Sequence, residues 1–301
     1  MARKTTSTNR RTARHTLRRE VPGTVALLAD PGDFAAMRRY PGFAFADHPT
    51  YLREMEALLR ELAAEGLHTS VALFDPEEYE GFCAEAGLDP ARPDSRVRYT
   101  AMASGGATVP YRGQPVDRLV PEVVAEAERH ATFTWATALL AAADGCAHCD
   151  RGAGRAAYAR ASRAVTGLLE AVGPGDHHLV CSVPADGASL IAVCQAECEE
   201  EGRVRVLESE ALILCTVLAA GIATGSRGGI VVRSSAPAPR DAPGRDVVRG
   251  WALRDGWPRP LTEAEVFAAY CTDADTGEPV PPEHGVEYRP GIPLPPPEDD
   301  R

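Results

Sequence analysis

TVALLADPGDF (residues 24–34) and SVALFDPEEYEGF (residues 70–82) are the two segments whose shared pattern decides the fold. In each, a short apolar run ends in Asp-Pro, acidic and aromatic residues follow, and a segment of helical composition comes next. A nearly continuous apolar run is what a strand buried on both faces requires. Asp before Pro starts a helix, because the carboxylate caps free N–H groups and the ring pre-sets the first turn. Two such hand-overs predict strands at residues 24–30 and 71–74, side by side and parallel in one α/β layer.

Working outward, a short segment ends near Arg39. A helix is predicted from about residue 50, because Leu52, Met55, Leu58, Leu59 and Leu62 recur at helical spacing and Gly66 supplies a stop. Another runs from Pro76 to about Ala86 and ends at Gly87. RVRYTAM (residues 96–102) alternates and reads as a third strand. Residues 120–143 and 155–172 are alanine-rich and helical, forming a hairpin with GCAHCDRGAG (residues 145–154) at its tip.

Beyond Gly173-Pro174-Gly175, strands are expected at residues 178–183, 190–196 and 204–207. An apolar helix over 210–223 would be capped by Ser209, and a last strand would occupy 230–233. Residues 234–243 read as a linker. Thr262 and Glu265 form a capping box that opens a short helix, and residues 279–297 are proline-rich and extended. Trp251 and Trp257 are expected to hold this end of the chain to the body.

The predicted fold is therefore α/β: a mainly parallel N-terminal sheet with flanking helices, a helical hairpin, a β-rich second half and an extended Pro-rich C-terminus. The expected divisions are a basic arm (1–20), an N-terminal α/β unit (21–115), a hairpin plus second α/β unit (116–234), and a linker, short helix and tail (235–301).

The 301 residues are 44% hydrophobic and 25% charged, near globular averages. The net charge of −11 is uneven. Residues 1–20 hold seven basic residues against one acidic, a balance of +6, so the remainder carries −17. An acidic body repels phosphates, which limits nucleic-acid binding to the arm, residues 3–19. A protein or a small molecule is the partner expected for the rest. No apolar run is long enough to span a bilayer, and the charged N-terminus has no apolar h-region after it. The expectation is a cytoplasmic protein without membrane association, whose eight cysteines are reduced.

Three constellations bear on chemistry. If the first two strands are parallel neighbours, Asp30 and Asp75 both stand at the carboxyl edge of the sheet, where open α/β sheets bind ligands. As a catalytic pair they could hold Mg²⁺ for hydrolysis or phosphoryl transfer, with Asp33, Glu77 or Glu78 assisting. Helix capping explains the same residues without a substrate and is the preferred reading. Cys146 and Cys149 have the C-x-x-C spacing of half a Zn²⁺ site. The second half would come from Cys181 with His177 or His178, or from Cys194 with Cys198. The loop at residues 225–229 is glycine-rich but follows a helix, so the dipole there disfavours phosphate.

His177 and His178 are adjacent, and adjacent strand residues face opposite ways. No G-x-G-x-x-G, Walker A or G-x-S-x-G pattern occurs at a strand-to-helix junction. With no complete catalytic set, the sequence points to a binding or regulatory protein without catalysis. A metal-dependent hydrolase or phosphoryl-transfer enzyme using Asp30 and Asp75 is the first alternative, and a structural zinc site at Cys146 and Cys149 the second.

Overall fold

The computed structural model describes residues 23–40, 42–103, 105–144, 152–185, 188–235, 246–273 and 276–295. The chain divides into two compact units, Met1–His130 and Ala131–Arg301.

In the first unit, β1 (Gly23–Leu27) and β2 (Thr69–Leu73) pair in parallel, with Leu27 opposite Leu73. That is the neighbour relationship the repeated pattern predicts. A two-residue strand, β3 (Val109–Pro110), adds antiparallel to β2, so this sheet is mixed. Helices α1 (Pro31–Met37), α2 (His48–Ala64) and α3 (Pro76–Ala86) all start alike: Asp30, Asp47 and Asp75 cap them, and proline occupies the first or second position. Gly87 ends α3 in the left-handed region at φ 63°, a conformation that costs glycine nothing.

The strand expected over residues 96–102 is instead helix α4 (Pro93–Ala103). Ser95 and Tyr99 are buried while Val97 is 68% exposed, which is burial every fourth residue. Proline at the first position sets the helical start, and the arginine alternation that suggested a strand is a solvent-facing pattern. Leu27, Phe34, Met37, Leu59, Val71, Tyr79 and Tyr99 fill the core. Phe74, Tyr79 and Tyr99 meet with ring centroids 5.0–5.5 Å apart, edge-on or tilted as aromatic quadrupoles prefer.

The boundary between units falls inside α5 (Val116–Asp144). Its early residues Leu119 and Val123 belong to the first core; Ala136, with Trp135 and Leu139 beside it, belongs to the second. Residues 145–151, expected to form the tip of a helical hairpin, lie outside the described residues. The next helix, α6 (Ala153–Val172), packs mainly on α7 (Glu208–Thr224). Ala157, Ala161, Ala164 and Leu168 form the buried stripe of α6; such small side chains let the two helices approach closely.

The second unit holds a seven-stranded sheet: β4 (Gly175–Ala185), β5 (Ala188–Cys198), β6 (Val204–Val206), β7 (Gly229–Ser235), β8 (Asp246–Arg254), β9 (Trp257–Pro260) and β10 (Val286–Tyr288). Their order is β10-β8-β7-β4-β5-β6, with β9 also pairing β8. All pairs are antiparallel except β10 with β8. Leu179, Cys181 and Val183 on β4, and Leu190, Ala192 and Cys194 on β5, point into the core, as period-two patterning demands. Helix α7 packs against both strands.

Two further expectations need correction. Helix α7 begins at Glu208 with Leu207 as its N-cap, so Ser209 caps nothing. The strand at 230–233 is not the last, because the stretch read as linker and tail adds β8, β9 and β10. DVVRGWALR was illegible as a strand because both of its faces are covered. Trp251 faces the main core, while Leu261 and Val266 sit against Gly250 on the other side; Val266 belongs to α8 (Glu263–Tyr270). The C-terminal segment is extended, as expected, and built in. The Trp251 indole Nε1 donates to the Ile292 carbonyl at 2.8 Å, the Arg249 guanidinium donates to the Pro290 carbonyl at 2.6 Å, and Leu294 is buried. Among the described residues, no helix is long and apolar enough to cross a membrane.

Candidate functional site

Asp30 and Asp75 do reach the same rim of the three-stranded sheet, just past the paired Leu27 and Leu73. Each carboxylate is engaged by its own helix. Asp30 Oδ1 accepts the N–H of Gly32 at 2.6 Å and of Asp33 at 3.3 Å. Asp75 Oδ1 accepts those of Glu77 at 2.8 Å and Glu78 at 3.0 Å. These are N-cap bonds, which satisfy backbone donors that no helix can pair internally. Asp33 registers the crowding: partial burial, then repulsion from Asp30 and Asp75, raise its carboxyl above the usual range. Beside the rim, the Tyr51 hydroxyl accepts the Leu28 N–H at 3.1 Å, and burial pushes its phenol up to about 12. His48 Nε2 lies 3.0 Å from the Leu28 carbonyl and therefore donates to it.

Among the described residues, no group of three or more His, Cys, Asp or Glu side chains is arranged to hold a metal ion. Cys146 and Cys149 lie outside the described residues. Their supposed partners do not assemble. His178 and Cys181 are on opposite faces of β4, since His178 is exposed and Cys181 buried. His177 and Cys181 share a face but are four residues apart, about 13 Å along a strand, and the same holds for Cys194 and Cys198. These thiols are core residues. Burial raises Cys181 to about 12 and Cys194 to about 11, which disfavours the thiolate in both. At the glycine-rich loop, Gly225 is the left-handed cap of α7, as its position after a helix implies.

The outer face of the seven-stranded sheet carries a different feature, a cleft of about 700 Å³. Asp176 and His178 on β4, Gln195 and Glu197 on β5, Arg205 on β6 and Arg233 on β7 line it. Strand register places them: His178 lies opposite both Gln195 and Arg233, and Asp176 opposite Glu197. Arg233 is fixed from behind. Its Nε donates to Asp246 Oδ2 at 2.7 Å and its Nη1 to Glu283 at 2.8 Å and to the Tyr270 hydroxyl at 3.0 Å. Arg205 pairs with Glu199 and Glu197. The side chains of His178, Gln195 and Asp176 make no hydrogen bond to any described residue.

The two histidines separate as period two requires. His177 faces inward and is 3% exposed. Its Nε2 sits 2.9 Å from the Gly173 carbonyl and its Nδ1 2.9 Å from the Ser234 hydroxyl. A carbonyl only accepts, so Nε2 carries the proton and Nδ1 accepts from Ser234. Desolvation lowers the His177 pKa, keeping the ring neutral. Sequence reasoning passed over the cleft because its residues come from four strands. The available signal was the polar alternate position along residues 176–178 and 195–197.

Over residues 12–114 the chain is similar to a family described as a domain of unknown function (DUF8829). No curated protein matches the chain, and no solved structure does.

Proposed function

We propose that this chain is a cytoplasmic, non-catalytic binding protein whose ligand occupies the cleft on the outer face of the seven-stranded sheet. One contrast carries the reading. The carboxylates proposed for catalysis are occupied as helix caps, whereas the side chains of His178, Gln195 and Asp176 project from paired strands and make no hydrogen bond among the described residues. The volume lies in the range of small-molecule sites. Carboxylates and guanidinium groups of both signs face it, so its chemistry suits a small zwitterion such as an amino acid.

Thermal denaturation of the full chain against a panel of amino acids tests this, since a ligand that binds only the folded state raises the melting temperature. A stabilising compound should lose its effect with His178→Ala or Glu197→Gln and keep it with Asp75→Ala. Shifts that survive both cleft variants would overturn the assignment.

The alternative is a metal-dependent hydrolase or phosphoryl-transfer enzyme using Asp30 and Asp75, whose strands end side by side on one rim of the three-stranded sheet. Magnesium-dependent turnover of a phosphoester, abolished by Asp75→Ala in a folded protein, would establish that reading and remove the non-catalytic one.

A further inference from the structure

The outward side chains of β4, β5 and β7 change character along the strands, and the register sets them in rows. Asp176 lies between Glu197 and Ser235, His178 between Gln195 and Arg233, and Val180 between Val193 and Val231. The first two rows line the cleft. The third, about 6.6 Å further along, is wholly apolar. Val193 is 43% exposed, and Val180 and Val231 are half-buried. Helix α8 flanks this surface on one side: Val266 and Leu261 sit against Gly250, the β8 residue opposite Val231. Leu207, which follows β6 and lines the cleft, is exposed on the other.

Charge sorts the two polar rows. Asp176 and Glu197 are like charges directly opposed, an arrangement that a strand pair disfavours and that a cationic group relieves. Arg205 reaches Glu197 at 3.5 Å. In the next row, Nε and Nη1 of Arg233 are engaged by Asp246, Glu283 and Tyr270, and Nη2 donates to no described residue. An ammonium therefore suits the first row and a carboxylate the second.

A zwitterion held in this way has one favourable direction left for its substituent. Toward the first row, an apolar group would strip water from carboxylates, which costs free energy. Toward the third row it meets valine and gains by leaving water. Resting on the reading of the cleft as a ligand site, we propose that the ligand is an α-amino acid with a large apolar side chain. Val180, Val193 and Val231 select it.

Calorimetric titration of the full chain with leucine, phenylalanine, glycine, serine and glutamate tests this. Leucine and phenylalanine should bind at least about tenfold more tightly than the other three, since each buried methylene adds to affinity. Val180→Thr and Val193→Thr keep a branched side chain that suits a strand and bring a hydroxyl to the row. Each should erase most of the preference for leucine over glycine, with glycine affinity and the melting temperature unchanged. If glycine, serine or glutamate binds as tightly as leucine, and binding is lost in His178→Ala, the proposal is overturned while the cleft remains an amino-acid site. A leucine preference that both threonine variants retain also overturns it, by taking the side chain off this row. Binding of none of the five overturns the cleft reading itself, and the proposal with it.

Discussion

The Nε2 of His177 donates to the carbonyl of Gly173 at 2.9 Å, tying the end of α6 to the start of β4 through a ring that must stay neutral. Its folded pKa lies below the ordinary histidine value because the ring is desolvated. The unfolded chain therefore takes up the proton first, and stability is lost as pH falls below about 6.5, the unfolded value. Urea midpoints of the wild type should drop over that window. In His177→Gln the part of the drop due to this ring should vanish, so the two curves converge toward acid pH.

Replacing Asp75 or Asp30 by alanine should cost about 1 kcal/mol each, the typical loss of an N-cap, and Asp75→Ser should recover most of it. The double variant should cost about the sum of the two, because Asp30 and Asp75 repel Asp33 separately and each single substitution already carries its own relief. Equilibrium denaturation of the four proteins checks the cycle.

Asp33 itself is held above the ordinary carboxyl range, so the folded state binds its proton more readily than the unfolded chain. Stability therefore falls as pH rises through the folded value. Asp33→Asn should raise the melting temperature at neutral pH, and the gain should shrink to nothing below about pH 4, where the unfolded carboxyl is also protonated.

Gly291→Ala should destabilise by about 1–3 kcal/mol, the usual penalty for overpacking. A methyl at that position would press on the Gly250 carbonyl and on Pro260 Cα, and backbone does not yield as a side chain does. The Gly291 N–H also bonds to the Leu261 carbonyl at 2.9 Å, so the segment cannot simply lift. The midpoint of chemical denaturation reads the effect.

The buried thiols of Cys181 and Cys194 should resist alkylation in the native protein and react on unfolding. Their raised pKa values, about 12 and 11, leave almost no thiolate at neutral pH. Mass-spectrometric labelling before and after urea addition measures this directly.

The first unit was largely legible in sequence because its signals are local. Asp30-Pro31 and Asp75-Pro76 announce helix starts within four residues, and the apolar runs before them have only one way to be buried. Helix α4 was misread because Val97 and Tyr99 alternate with arginines, and only the burial of Ser95 with Tyr99 reveals the longer period. In the second unit, β4, β5 and α7 were readable from alternation and apolar content. The β8 strand was not, since its two faces pack against different partners and show no single period. The rim holding Asp30 and Asp75 could be placed because two adjacent strands create it. The cleft around His178 could not, because it depends on pairings among β4, β5, β6 and β7 that no local pattern specifies.

The bond from the Trp251 indole to the Ile292 carbonyl has a practical consequence for anyone handling this protein. A chain shortened at residue 285 would lose β10 and uncover the flank of β8 beside Val248. It would also leave a buried indole N–H with nothing to accept it, at a cost of about 1–3 kcal/mol. Affinity tags and fusion partners therefore belong beyond Pro295, and proteolytic trimming that reaches Ile292 should be monitored as a route to aggregation.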